Sequence, residues 1–315
     1  MNTSQQLTAL PAHRAVAHLL EAYLRQGKKA ARRLDGQNRA DALHALRVAL
    51  RRSRALISAY PEWLPAHCRK NRKRLRRLMA LTNTSRDNDV TLVWLESLPA
   101  NVQSTAVFAA LSRHLREPLP DAGNAKLRKR FTKLRRRLRK GLPLDLSDNT
   151  PFGLVAQEKI QTSLAIFSSL VDALRSHPDE TLCHEARIAG KRLRYLLEPL
   201  CHSKPLKRRI IAPLTTIQDL LGEIQDCHMA TITLATTTTA LYGEPAGAPF
   251  REDGQSPRDS VEGLQDIANL LAERRRSAWQ NLRRNLNGDD NLFETLLVEL
   301  ESPGSVGIYA ATYTR

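Results

Sequence analysis

One internal repeat constrains this chain more than any other feature. Residues 44–54, His-Ala-Leu-Arg-Val-Ala-Leu-Arg-Arg-Ser-Arg, return 140 positions later as residues 184–194, His-Glu-Ala-Arg-Ile-Ala-Gly-Lys-Arg-Leu-Arg. Both copies read His-x-x-Arg-[Val/Ile]-x-x-[Arg/Lys]-Arg-x-Arg. Downstream, Leu81 to Arg86-Asp87 is echoed by Leu220 to Gln225-Asp226, and Arg69-Lys70 by Arg208-Arg209, each at an offset of 139. So many polar matches at offsets of 139 and 140 read as an internal duplication of a unit of about 140 residues.

That unit is helical. Apolar residues recur at helical spacing, and strand-like alternation is nearly absent. Helices are predicted over Ala12–Arg33, Arg39–Tyr60, Leu64–Leu81, Arg86–Leu98, Val102–Arg116 and Asn124–Lys140. Further helices are predicted over Leu154–Arg175, Asp179–Leu200, Lys204–Thr237, Val261–Leu286 and Leu292–Leu300. Asp35-Gly36, Pro61, Pro65, Pro99, Pro118, Pro120, Gly141 and Pro143 punctuate the first half. The fold class expected is all-α. The expected divisions are a first helical region at 12–142, a connection at 143–153, a second region at 154–301 with a flexible loop at 242–258, and a tail at 302–315.

Charge separates the two halves. The 315 residues carry 49 Lys+Arg against 32 Asp+Glu, a formal charge of +17. Up to Leu142 there are 31 basic and 9 acidic residues, a net of +22, and the remainder nets −5. Arginine outnumbers lysine 37 to 12, and its planar, permanently charged fork suits phosphate oxygens. This balance points to a polyanionic partner. The start of the chain lacks the basic and uninterrupted apolar regions of a secretory signal, and no run is long enough to span a bilayer. The expected location is therefore cytoplasmic, with Cys68, Cys183, Cys201 and Cys227 as reduced, buried thiols.

On a helical wheel His44, Arg47, Arg51 and Arg54 fall within about 80° of one another, with Arg52 at the flank. Leu46, Ala49, Leu50, Ser53 and Ile57 occupy the opposite, core-facing side. His184, Arg187, Lys191 and Arg194 reproduce the stripe, with Arg192 at its flank. A charge run is ordinarily a solvated face, but a solvated face does not require the same His and Arg spacing twice. Gly190 inside the second motif helix costs about 1 kcal/mol relative to alanine, and is expected to permit close helix approach.

Two further basic elements extend this surface. Residues 125–140 contain ten basic and no acidic side chains, among them Lys129, Lys133 and Arg136. Leu127, Phe131, Leu134 and Leu138 give that segment an apolar stripe with which to dock. A weaker counterpart is read at Arg274–Arg284, including Arg283. Residues 69–77, with Arg69 and Lys73, hold seven basic residues in nine, and Arg208 matches Arg69. Aromatics are only 5% of the chain, too few for the stacking platforms of single-strand binders. Nothing resembles a base-reading recognition element. What remains is a site rich in phosphate ligands and poor in base ligands.

These residues resemble the CHAD family, the conserved histidine α-helical domain, over roughly Val16 to Leu300. The resemblance implies a tandem pair of four-helix bundles with a basic, His-lined channel that binds inorganic polyphosphate. It also implies a stand-alone, phosin-like protein associated with polyphosphate granules and their proteins. The matching positions are His44, Arg47, Arg51, Arg52 and Arg54, then His184, Arg187, Lys191, Arg192 and Arg194. Asp87 and Asp226 match the family's later acidic element and are expected to orient an Arg or His. Residues before His44 carry no Glu-x-Glu-x-Lys element of the triphosphate-tunnel module found in some relatives.

Sharper chemistry finds less support. Each cysteine has a histidine neighbour, but adjacent helical residues diverge by about 100°, and the usual spacing of zinc ligands is missing. Neither a glycine-rich phosphate loop nor a carboxylate set for Mg²⁺ stands out beyond Asp87-x-Asp89. The expectation is a binding module with no catalytic residues, metal or cofactor, and no membrane partner. A non-specific nucleic-acid binder and an accessory subunit of a phosphate-metabolising enzyme are the alternatives.

Overall fold

The computed structural model describes residues 3–36, 38–81, 83–116, 124–144, 146–201, 203–242, 257–287 and 291–301, in which every regular element is helical. In chain order these are α1 (Thr3–Ala9), α2 (Ala12–Arg32), α3 (Arg39–Ala59), α4 (Ala66–Ala80), α5 (Asn83–Leu95), α6 (Ala100–Gln103) and α7 (Ala106–Arg116). There follow α8 (Asn124–Arg139), α9 (Phe152–Ser176), α10 (Glu180–Leu197), α11 (Lys204–Leu206), α12 (Ala212–Tyr242), α13 (Pro257–Asn287) and α14 (Leu292–Glu301). A 3-10 turn at Pro61–Trp63 precedes α4, and a π-helical segment, Lys207–Ile211, joins α11 to α12. Of the loop expected at 242–258, residues 243–256 lie outside the described residues, whereas Tyr242 ends α12 and residues 257 and 258 open α13. The tail at 302–315 also lies outside the described residues.

Prolines stand at several helix starts, Pro65 and Pro99 from the sequence punctuation among them. Pro11, Pro65, Pro99 and Pro151 immediately precede α2, α4, α6 and α9, where a missing N–H leaves no hydrogen bond unmade. Asp179 caps α10 by accepting from the amides of Thr181 and Leu182 at 2.7 and 3.1 Å. The amide of Leu182 is the main reason its carboxyl sits below the ordinary aspartate range.

The chain separates into two compact units, each drawing on both halves of the sequence. The first comprises residues 1–82, 121–219 and 285–315, and the second 83–120 and 220–284. The connection at 143–153 therefore lies within the first unit.

In the first unit, α2 packs on α3, α3 on α4, α4 on α8 and α8 back on α2, closing a four-helix bundle. Leu127, Phe131, Leu134 and Leu138 of α8 are all buried, so this very basic helix docks by its apolar stripe. In the second half of the chain α9 packs on α10, and α14 packs on the π-helical segment. Here α14 supplies the helix that the first half draws from α8. It carries Glu294, Glu299 and Glu301 and no basic residue, whereas the run at Arg274–Arg284 belongs to the second unit.

The two halves also meet inside this unit, α2 against α9 and α3 against α10. Pro11 and Pro151 form an isolated antiparallel bridge. Ala12 donates to the Thr150 carbonyl at 2.9 Å, and Phe152 donates to the Leu10 carbonyl at 2.8 Å. Each bond is the other shifted by 140 positions, the reciprocity of contacts made across a two-fold axis.

Packing around the repeat is complementary rather than identical. At Gly27 of α2 an added Cβ would fall 2.6 Å from Phe131 Cζ and 3.3 Å from Ala49 Cβ. The residue 140 positions on from Gly27 is Phe167, whose ring fills space over Gly190, where an added Cβ would fall 3.0 Å from Phe167 Cε2. Gln218 donates to the Gly190 carbonyl at 2.8 Å. The expected role of Gly190 in close helix approach is thus observed. Phe167 is held edge-on against Phe293 with ring centroids 5.6 Å apart. Arg175 lies over the other ring, 5.2 Å from the Phe293 centroid, and donates to the Leu286 carbonyl and to Glu294.

The second unit has its own core. Trp94, Leu95, Leu98, Val102, Val107, Leu111 and Leu115 from the first half pack with Cys227, Ala230, Leu234, Ile267 and Leu271.

Replacing Gly27 by alanine tests the packing. Overpacking against Phe131 should outweigh the gain in helix propensity and lower the unfolding free energy by about 1–2 kcal/mol. Thermal or denaturant unfolding reads this directly, and adding F131L to G27A should recover part of the loss.

Candidate functional site

The motif helices present the faces that their spacing requires. In α3, Leu46, Ala49, Leu50, Ser53 and Ile57 are buried, and in α10, Ala186, Ala189, Gly190, Leu193 and Leu197 are buried. On the stripes, His44 and His184 are exposed, while Arg47, Arg51, Arg54, Arg187, Lys191 and Arg194 are half-buried. Arg47 and Arg187, equivalent under the repeat, both hold Nε in buried positions. Their stems lie against protein as in other amphipathic side chains. Because α3 packs on α10, the two stripes belong to one locality of the first unit.

A carboxylate missed in the sequence sits among them. Glu198, one turn beyond Arg194, accepts from Arg52 Nε at 2.8 Å, and Arg52 Nη2 lies 2.8 Å from the same oxygen. Arg194 Nε lies 3.7 Å from its other oxygen. The Glu198 side chain is only 19% exposed, so this link between the halves is shielded from solvent screening more than a surface pair would be. Arg52 also lies over the Tyr23 ring, 6.0 Å from its centroid. Burial is the main cause that pushes the Tyr23 hydroxyl up to about 12, with Arg52 opposing and Glu198 adding to the rise.

Elsewhere on the same helices, like charges gather. Burial foremost, then Arg76, Arg192 and Arg72, hold the Arg54 guanidinium below its ordinary range. Thus α3, α4 and α10 all contribute to one positive cluster. Arg72 Nη1 reaches Ser58 Oγ at 3.5 Å, and Ser58 Oγ donates to the Arg54 carbonyl at 2.8 Å. Arg72 and Arg76 were legible only as part of the basic run at 69–77. The i, i+4 spacing from Arg194 is the signal that marks Glu198 in the sequence, but it does not encode the pairing with Arg52.

The remaining predicted positions fall as follows. Arg69 and Lys73 are exposed on α4, and Lys129, Lys133 and Arg136 are exposed on α8, which packs on α4. Arg192 is exposed on α10 and Arg208 on the π-helical segment, where its neighbour Arg209 donates to Glu299 at 2.9 Å. Arg283 is exposed on α13 and Asp226 half-buried on α12, both in the second unit. The Asp87 side chain lies outside the described residues.

Among the described residues there is no group of three His, Cys, Asp or Glu arranged to hold a metal. No helix is long and apolar enough to cross a membrane. All four cysteines are free and buried. Burial pushes the Cys68 thiol up to about 11 and those of Cys183 and Cys201 up to about 12, and it raises that of Cys227.

The model of the CHAD domain matches residues 14–235, which include both motif helices. The chain belongs to the CHAD family. The CHAD domain from the plant Ricinus communis superposes with a TM-score of 0.65, at 19% identity, over 92% of this chain and 93% of that one. PptA from Streptomyces chartreusis superposes with a TM-score of 0.59, at 17% identity, over 87% of this chain and 98% of that one. A comparison with curated proteins gives no match. The all-α CHAD fold expected from the sequence is therefore the fold observed, and the His-x-x-Arg helices of this CHAD protein are its α3 and α10.

The thiols of this CHAD protein give a direct check. Reactivity follows the thiolate, so with values raised to about 11–12 for three of the four, no cysteine should react rapidly with a thiol reagent at pH 8. All four should become reactive on unfolding.

Proposed function

We propose that this protein binds inorganic polyphosphate through the basic surface of α3, α10, α4 and α8, without catalysing its synthesis or hydrolysis. The observation that carries this reading is the packing of α3 on α10, which sets Arg54 near Arg192 with Arg72 and Arg76 beside them. Concentrating guanidinium groups costs stability through mutual repulsion, a cost that binding of a dense polyanion reverses. Successive turns of a helix offer Arg at intervals along which a phosphate chain can run, held by charge-assisted hydrogen bonds. The exposed Lys129, Lys133 and Arg136 of α8, with Arg69 and Lys73 of α4, extend the surface for a long chain. Membership of the CHAD family supports the same ligand. Association with polyphosphate granules in the cytoplasm follows as the cellular role.

Affinity for long-chain polyphosphate should exceed that for single-stranded or duplex nucleic acid of matched charge. By analogy with nucleic-acid binding, it should fall by at least about a hundredfold between about 50 and 200 mM salt. R51E combined with K191E, one change on each stripe, should abolish polyphosphate binding while leaving the far-ultraviolet circular dichroism unchanged. Equal affinity for all three polyanions would favour non-specific nucleic-acid binding instead. Magnesium-dependent phosphate release by the pure protein would overturn the non-catalytic reading.

A further inference from the structure

The repeat makes the basic site divisible into two equivalent positions, and the structure treats them differently. Arg52 and Arg194 correspond, by 140 residues, to Arg192 and Arg54. Glu198, which links the first pair, corresponds to Ser58. At the first position two guanidinium groups share a carboxylate, at 2.8 and 3.7 Å. At the second, Ser58 carries no charge and its hydroxyl is spent on the Arg54 carbonyl. Arg72 reaches in from α4, and Arg76 adds a fourth guanidinium. Among the described residues no carboxylate pairs with Arg54, Arg72, Arg76 or Arg192. Burial first, and then repulsion from Arg76, Arg192 and Arg72, holds the Arg54 guanidinium below its ordinary range.

We propose that Arg54, Arg72, Arg76 and Arg192 form an anchoring subsite for the doubly charged terminal phosphate of a polyphosphate chain, and that Glu198 closes the equivalent position. This rests on the polyphosphate reading above and adds a direction to it. An internal phosphate has one ionisable oxygen and carries one charge. A terminal phosphate has a second ionisation near about pH 6, as a phosphomonoester does, and presents three oxygens rather than two to the guanidinium forks. The position with four uncompensated cations favours the end of the chain over its middle. The position holding Glu198 presents a guanidinium already occupied and an anion that repels the ligand. The chain is therefore bound end-first at Arg54 and Arg192, with its remaining length free to follow the exposed lysines and arginines of α4 and α8.

The test compares long polyphosphate with chains of the same length whose two terminal phosphates are blocked as phosphoramidates. Blocking changes a negligible share of the total charge but removes the ends. The intact protein should bind blocked chains about tenfold more weakly, equivalent to about 1.4 kcal/mol. S58E, which restores a carboxylate at an exposed position, should bring that ratio close to one, and R192Q should do the same. T132E, the same charge change at an exposed position of α8, should weaken both ligands alike and keep the ratio. E198Q should raise the affinity for unblocked chains about threefold by opening the second position. Melting curves for each variant separate these effects from unfolding. A ratio near one in the intact protein, or a ratio that survives S58E and R192Q, overturns the anchoring subsite while polyphosphate binding stands. An unchanged affinity in E198Q overturns the role given to Glu198. Failure of the intact protein to bind unblocked chains overturns both readings together.

Discussion

The rest of the structure depends on the contact of α3 with α10. Each of these helices has an apolar side that satisfies its own half of the chain and a cationic side that repels its counterpart. Setting them together is unfavourable by electrostatics alone, so apolar burial elsewhere must hold the arrangement. Leu46, Leu50 and Ile57 on α3, with Leu193 and Leu197 on α10, are fully or nearly fully buried, and α2 and α9 back them. One ion pair, Arg52 with Glu198, relieves the repulsion across the contact. Its carboxylate belongs to the second half and its main partner to the first, so it ties the two helices to each other.

Seen from that contact, the lopsided charge of the chain has a structural meaning. The first half supplies α4 and α8, both strongly basic on their outer faces. The second half supplies the π-helical segment and α14, where cations are met by carboxylates, as in Arg209 with Glu299 and Arg175 with Glu294. On these helices the first half exposes its cations, while the second pairs more of them with carboxylates. Asp35 with Arg128 in the first half and Arg175 with Glu294 in the second show the same bundle contact made with the signs exchanged, since position 175 lies 140 beyond position 35.

Much of this was legible in the sequence, for identifiable reasons. Helical spacing is a local property, so the core and stripe faces of α3 and α10 follow from residues 44–57 and 184–197 alone. The docking of α8 followed likewise from Leu127, Phe131, Leu134 and Leu138. Glu198 was missed because its significance lies in reaching Arg52, 146 positions away, which no local pattern encodes. Arg72 and Arg76 were passed over for Arg69 and Lys73 because a run of cations does not reveal which of them faces a neighbouring helix. The counterpart of α8 expected from the sequence is the basic run at 274–284, whereas in the first unit α14 takes that place with acidic residues. Charge is a poor guide to equivalence when matching positions in the two halves carry opposite signs.

The paired hydrogen bonds at Pro11 and Pro151 carry a consequence for the chain as a whole. Contacts of this reciprocal kind are what two separate subunits would make about a symmetry axis, and such subunits come apart on dilution. Joined in one polypeptide, the two sides meet at an effective concentration set by the connecting segment rather than by expression level. Freed from serving both sides of a symmetric interface, each side could then change alone. The exchange of Gly27 and Phe167 in volume, and of Ser58 and Glu198 in charge, is the kind of divergence that a true homodimer can never acquire, because every substitution in it is made twice.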